Sequence, residues 1–129
     1  MTQAFLDPLL RRQPATLRIR NERNGRIVAD QILKAFDSKT RRAGLLHRDA
    51  FPDGHAMVIA PTQAVHTWFM RFPIDLAFVD KGGLVVKICA SVKPWRLAVA
   101  FRAYAVVELP AGALARCDTV VGDTLSIST

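Results

Sequence analysis

The stretch HTWFMRFPID, residues 66–75, combines several side chains that can bind a ligand or take part in a reaction. It carries an imidazole, a guanidinium and a carboxylate among aromatic and aliphatic side chains. Side chains alternate between the two faces of a strand, so an extended stretch here presents two sets. They are His66, Trp68 and Met70 on one face, and Thr67, Phe69 and Arg71 on the other. We predict that His66, Met70 and Arg71 line a ligand site.

Asp75 is the acidic residue of this stretch, and it lies in a run of apolar residues. Alternation beyond Pro73 places it on the same side as Ala77 and Val79. A carboxylate among apolar side chains is destabilising unless a cation or several N–H groups satisfy it. We therefore predict a basic partner from this set: Arg41, Arg48, Arg71 and His66. The pair either fixes the chain or belongs to a polar pocket, and both interpretations stay open.

A second candidate cluster is formed by Lys93, Trp95 and Arg96, in the segment KPWR. An exposed indole stacks on a sugar or a base, and the two cations suit an anionic group. The alternative is a tryptophan that covers the core while the cations extend into solvent. The sequence does not decide between them.

Catalysis and metal binding have weaker sequence support. His66 could act as a general base oriented by Asp75, with Cys89 or a serine as nucleophile, but G-x-S-x-G and Cys-Gly signatures are absent. The three histidines lack the i, i+2 or i, i+4 spacing of a metal pair, and phosphate-binding glycine loops are missing. We predict no metal and no cofactor. For His66 we favour a structural or binding role over a catalytic one.

The chain has 129 residues and a formal net charge of +7. Residues 1–48 hold 11 Lys or Arg against 4 Asp or Glu, whereas residues 49–129 hold 7 of each. A basic half is typical of proteins that bind nucleic acid, an anionic lipid surface or an acidic partner. Without a recognisable nucleic-acid motif we favour a solubilising surface. Nucleic-acid binding would need one continuous surface from Arg11, Arg12, Arg18, Arg20, Arg23 and Arg26.

The N-terminal residues do not form a cationic segment followed by an apolar one, so they do not fit a signal peptide. No apolar stretch approaches the ~18 residues that cross a bilayer. Cys89 and Cys117 lie far apart without a CxxC motif, which suits reduced thiols. We expect a cytoplasmic protein without a membrane span, and the oligomeric state stays open.

Strand and turn signals predict an α+β, mainly β fold. Turn residues at Asn24-Gly25 and at residues 80–83 each predict a β-hairpin, and Pro61 predicts a bend between two strands. Helical turns are expected around residues 38–44 and 111–117, and a long loop over residues 91–103. We predict an N-terminal arm over residues 1–15. Residues 16–129 should form one domain, a compact twisted antiparallel sheet or small barrel with one or two short helices.

The segments RRAGLLHR, VHTWFMRFPIDLAFVDKGGLVVKI, KPWR, VVELPAG and VGDTL occur in this order over residues 27–127. Together they resemble the bacterial and archaeal family called domain of unknown function 192, or uncharacterised protein family 0127. The resemblance implies a compact β-rich domain with no established activity, and relatives that often carry an export signal. The family's Arg-x-x-Gly-Leu-Met-x-Arg pattern maps onto Arg41, Gly44, Leu45 and Arg48, with Leu46 in place of methionine.

These observations favour a non-catalytic domain that binds a small polar or anionic ligand in a pocket. The predicted pocket residues are Arg41, Arg48, His66, Met70, Arg71, Asp75, Lys93, Trp95 and Arg96. One alternative is a small hydrolase-like enzyme that uses His66 and Asp75. Another is a partner or nucleic-acid binder that uses the basic N-terminal half.

Overall fold

The computed structural model describes residues 5–11, 16–36 and 50–129. Within these ranges short strands make up most of the regular structure. The helices are α1 (Asp7–Arg11) and α2 (Ala113–Arg116). The strands are β1 (Arg18–Asn21), β2 (Ile27–Ala29), β3 (Gln31–Ala35), β4 (His55–Ile59), β5 (Ala64–His66), β6 (Ile74–Val79), β7 (Val85–Val92), β8 (Leu97–Val99), β9 (Ala105–Pro110) and β10 (Leu125–Ser128).

The central sheet has the strand order β3-β4-β9-β6-β7. Strands β6 and β9 are buried along their whole length, because other elements cover both faces of the sheet. The mainly β fold is confirmed, but the sheet is mixed, since β3 and β4 pair in parallel while the other neighbours are antiparallel. The strands described here are arranged in separate sheets and do not close into a barrel.

Two apolar clusters lie on opposite faces of the central sheet. The first packs Ala77 and Val107 of the sheet against the β10-β1-β2 sheet and both helices. The second packs Leu76 and Val106 against a two-stranded ribbon, in which β5 and β8 pair antiparallel. Residues 5–11, at the start of the predicted arm, contribute to the first cluster, where Leu9 is completely buried.

Both predicted hairpins are present. Strands β1 and β2 flank Asn24-Gly25, and β6 and β7 flank residues 80–83. Gly83 has a φ of 93°, and a Cβ there would meet the Leu125 carbonyl oxygen, so the second turn requires glycine. The loop predicted over residues 91–103 is wrong in part, because β8 lies within it. The helical turn predicted around residues 38–44 lies outside the described residues. Among the described residues, no helix has the length and apolar character to span a bilayer.

Candidate functional site

The strand alternation predicted through Arg71 is wrong, because β5 ends at His66. The chain then turns, and Phe69 adopts a left-handed φ of 66°. A residue with positive φ breaks the alternation of side chains that a continuous strand would keep. As a result Thr67 and Met70 point into the protein, while Trp68, Phe69 and Arg71 are exposed.

Thr67 joins the two clusters that the sequence singled out. Its hydroxyl donates to the Lys93 carbonyl oxygen at 2.6 Å and accepts from the Arg96 amide at 2.9 Å. Its own backbone N–H donates to the Arg96 carbonyl at 2.8 Å, and its carbonyl accepts from the Trp95 amide at 3.0 Å. Thr67 is only 1% exposed, so these bonds are shielded from water. One buried side chain therefore fixes the turn after β5 to the segment before β8.

The joined segments present an exposed group of apolar side chains, which we call the aromatic platform. Its members are His66, Trp68, Phe69, Trp95 and Leu97. His66 stacks on Trp68 with ring centroids 4.7 Å apart, and Phe69 meets Trp95 at 4.6 Å in a tilted arrangement. Leu97 is 64% exposed and pairs directly with His66 across the ribbon, which puts both side chains on the same face. Exposed apolar patches of this kind are typical of binding surfaces.

Positive charge surrounds the aromatic platform. Residues 61–74 and 84–104 together carry five Lys or Arg and no Asp or Glu. Lys93 and Arg96 flank Trp95 and are exposed. Arg71 is also exposed, whereas Met70 is buried below the turn in the second apolar cluster. The predicted site residues of both segments thus lie together, while Arg41 and Arg48 lie outside the described residues.

Asp75 is buried with 1% of its surface exposed, as its position in an apolar run predicts. One carboxylate oxygen accepts from the Ser91 amide at 2.8 Å, and the other accepts from the Leu114 amide at 3.0 Å. Two backbone N–H groups therefore satisfy the charge. The carboxylate links β6 to β7 and to α2, and it faces the first apolar cluster.

Among the described residues Asp75 pairs with neither Arg71 nor His66, so these two predicted ion pairs are wrong, and its carboxylate accepts from backbone amides. The other two predicted partners, Arg41 and Arg48, lie outside the described residues. His66 is exposed on the ribbon that covers the opposite face of the central sheet. A hydrogen bond between His66 and Asp75 is absent among the described residues, so these two do not form the base and orienting acid of the hydrolase alternative. A single pocket that contains both side chains is not formed.

Glu108 is a buried acidic residue that sequence reasoning missed. It sits in a row that crosses the central sheet on the face of the second apolar cluster. The row consists of Leu33, Met57, Glu108, Leu76 and Cys89. Glu108 is 3% exposed, and its Oε1 atom has no hydrogen-bond partner among the described residues. Burial raises the pKa of Glu108 to about 8, so the carboxyl is mostly protonated at neutral pH. The sequence signal that could have identified Glu108 is its position as a single acidic residue inside the apolar run of β9.

Arginines of the basic N-terminal half are bound to the protein itself. Arg23 donates to Asp123 at 2.6 Å and also pairs with Asp118. The hydrogen bond from Arg23 lowers the pKa of Asp123 and raises the pKa of Arg23. Arg26 donates to the Arg116 carbonyl at 3.2 Å. Arg23 thus has its charge compensated within the fold, and this weakens the continuous basic surface that nucleic-acid binding would need.

Comparison with known proteins places the chain in a family. The sequence model of DUF192, described as "Uncharacterized ACR", matches residues 19–127. The chain belongs to the DUF192 family. No curated protein matches the sequence. The family membership confirms the resemblance carried by the five sequence segments.

Two solved structures share the DUF192 fold seen here. One is a candidate transcription regulator from Sinorhizobium meliloti 1021, with a TM-score of 0.75 and 22% sequence identity over 85% of this chain and 90% of that chain. The other is a protein of unknown function from Novosphingobium aromaticivorans DSM 12444, with a TM-score of 0.73 and 22% identity over 85% of this chain and 82% of that chain. At this identity the likeness shows the fold alone.

Proposed function

We propose that this DUF192 domain binds an anionic ligand without catalysis and that the aromatic platform is the binding surface. The observation that carries the proposal is the Thr67 junction, which holds two distant segments together so that four rings stay exposed. Exposed rings would gain by burial against an apolar or flat part of the ligand. Lys93 and Arg96 would bind its anionic group. This proposal replaces the predicted pocket by a surface.

The other predicted site residues have supporting roles in this proposal. Arg71 adds positive charge beside the rings, and Arg41 and Arg48 stay proposed contributors of charge. Met70 supports the turn from below. Asp75 fixes β6 against α2 and β7 and does not contact the ligand.

Tryptophan fluorescence tests the proposal directly, because the chain contains two tryptophans and both belong to the platform. The protein is titrated with adenosine monophosphate, with glycerol 3-phosphate and with vesicles that contain phosphatidylglycerol. Saturable change in emission with at least one anionic probe supports the proposal, provided that substitution of Lys93 and Arg96 by alanine weakens it. Unchanged emission with all three probes contradicts it.

The matched controls are Phe101→Ala and Arg102→Ala. Phe101 is 81% exposed and follows β8, at the end of the ribbon opposite to Trp95. Both substitutions remove side chains of the same chemistry from outside the platform, so they should leave the titration unchanged. An equal loss of binding in these controls would point to a diffuse charge effect in place of a defined surface.

Nucleic-acid binding is the second candidate. The structural likeness to a candidate transcription regulator and the basic character of the chain favour it. The internal pairing of Arg23 counts against it. Mobility of the protein in a gel at low salt, with excess single-stranded and double-stranded DNA, tests this candidate. Binding that falls steeply with salt would support it, and unchanged mobility would remove it.

A further inference from the structure

We propose that the aromatic platform docks on an anionic phospholipid surface. Trp68, Phe69, Trp95 and Leu97 enter the headgroup region of the bilayer, and Lys93 and Arg96 meet lipid phosphates. The inference rests on the proposed function, because it identifies the anionic ligand as a lipid headgroup. The protein attaches to the bilayer surface through these side chains without crossing it.

The chemistry of the platform matches the membrane interface. Tryptophan is enriched there because its ring is apolar while its N–H needs a polar partner, and exposed Phe and Leu gain by transfer toward the acyl chains. Trp68, Phe69, Trp95 and Leu97 have 46%, 67%, 56% and 64% of their surface exposed. Phe69 contacts Trp95, while Trp68 and Leu97 both lie beside His66. Exposure of large apolar side chains to water does not stabilise a protein, and such patches are typical of interaction sites.

The backbone presents Phe69 and Trp95 in turns. Phe69 and Trp95 both have left-handed φ values, 66° and 67°. Their turns are tied together through Thr67, so the ring pair is held in place before contact with a membrane. A fixed arrangement loses less conformational entropy on binding than a mobile loop does. The surface is therefore organised for docking.

Charge complementarity identifies the membrane as an anionic one. The two segments that carry the platform, residues 66–71 and 93–97, contain Arg71, Lys93 and Arg96 and no acidic residue. An acidic side chain in this region would be repelled by a negatively charged headgroup layer. Each basic residue close to such a layer strengthens binding by about fivefold. Lys93 and Arg96 lie next to Trp95 in sequence and are placed to act together with it.

Lipid fits the platform better than single-stranded nucleic acid does. Bases stack on open ring faces, but His66 and Trp68 already stack on each other, with an interplanar angle of 26°. Phe69 and Trp95 also contact each other, in a tilted arrangement. Leu97 offers no stacking surface, yet it gains directly from the acyl region. The contacting ring pairs thus suit insertion into the membrane interface better than stacking on bases.

The test measures binding of the full chain to vesicles of phosphatidylcholine with and without phosphatidylglycerol. We expect co-sedimentation and a blue shift of tryptophan emission with phosphatidylglycerol, and neither with phosphatidylcholine alone. The double variant Lys93→Ala/Arg96→Ala should bind about 25-fold more weakly. Phe69→Ala should also reduce binding, whereas the controls Phe101→Ala and Arg102→Ala should bind almost as the natural protein does. Thermal unfolding checks that each variant is folded.

The outcomes separate this inference from the proposed function. Binding of adenosine monophosphate or glycerol 3-phosphate without vesicle binding overturns the membrane inference and leaves the proposed function in place. Equal binding to both kinds of vesicle overturns the role of anionic lipid. If single-stranded oligonucleotides quench the tryptophan emission and the protein does not bind vesicles, the inference is overturned in favour of nucleic acid. No detectable binding of any probe overturns both proposals.

Discussion

The stability of the protein should fall as pH rises from about 5 to about 8, because Glu108 is buried and its Oε1 atom has no hydrogen-bond partner among the described residues. Its pKa is about 8 in the folded protein, against 4.5 for the unperturbed side chain. The folded state therefore holds a proton in this range that the unfolded state has released. Since the folded state binds more protons, stability decreases with rising pH. Below the unfolded pKa both states are protonated, and this contribution to the pH dependence disappears.

The magnitude follows from the size of the pKa shift. One pKa unit corresponds to about 1.4 kcal/mol, so the full shift of Glu108 gives at most roughly 5 kcal/mol over the range. Relaxation of the chain and entry of water will reduce this upper limit. Even half of it is a large part of a typical domain stability of about 5–15 kcal/mol. The effect should be clear in urea unfolding curves.

The assay compares urea unfolding of the natural protein and Glu108→Gln at several pH values. Glutamine keeps the shape of the protonated carboxyl and does not ionise, so the variant should lose most of the decrease in stability. Glu22→Gln is the matched control, because Glu22 is the other glutamate of the chain and is exposed. Stability that rises between about pH 5 and about pH 8, or an unchanged slope in Glu108→Gln, would refute the reasoning.

Three further predictions concern the junction, an ion pair and a turn. Thr67→Val removes the hydroxyl between the two platform segments. It should lower the free energy of unfolding, measured in urea, by about 1–3 kcal/mol, and it should also weaken ligand binding. Asp123→Asn should destabilise the protein near neutral pH, and less so as pH falls through the unfolded pKa of 3.8, because the Arg23 partner lowers the folded pKa of Asp123. A similar loss at acid and neutral pH would contradict this. Gly83→Ala should lower the melting temperature strongly, because the new Cβ would collide with the Leu125 carbonyl. A melting temperature within about a degree of that of the natural protein would show that the turn adapts.

Local signals predicted much of the fold, because hairpins are encoded by neighbouring residues. Asn24-Gly25 and the residues 80–83 supply the positive φ that tight turns require, and the strands on both sides of each turn pair as expected. The parallel pair of β3 and β4 could not be predicted in this way. Residues 36–54 separate the two strands in the sequence, and parallel strands cannot be joined by a tight turn.

The sequence singled out His66, Trp95 and Arg96 as candidate binding residues, and their role in binding stays a prediction. The structure joins their two segments through Thr67. Thr67, which joins them, carried no signal, because its partners are contributed by a segment far along the chain. The positive φ of Phe69 also had no marker, since glycine or asparagine is absent there.

The sequence analysis assigned a buried acid to Asp75 alone, whereas Glu108 and Asp123 are buried as well. The rule that a buried carboxylate needs a partner applies to Asp75 and to Glu108 alike, but sequence cannot show which one backbone amides reach. Two N–H groups approach Asp75 because α2 and β7 pack beside the start of β6. Glu108 lies in the middle of the sheet, where backbone N–H groups are already used by neighbouring strands.

The most direct test of the central claim is the emission of Trp68 and Trp95 when vesicles rich in phosphatidylglycerol are added. If the Thr67-anchored platform is the functional surface, emission shifts to the blue and saturates, and Lys93→Ala/Arg96→Ala needs far more lipid for the same shift. Emission that stays constant over the whole titration, together with unchanged emission in the presence of the two free phosphate compounds, would show that the platform is not a binding surface.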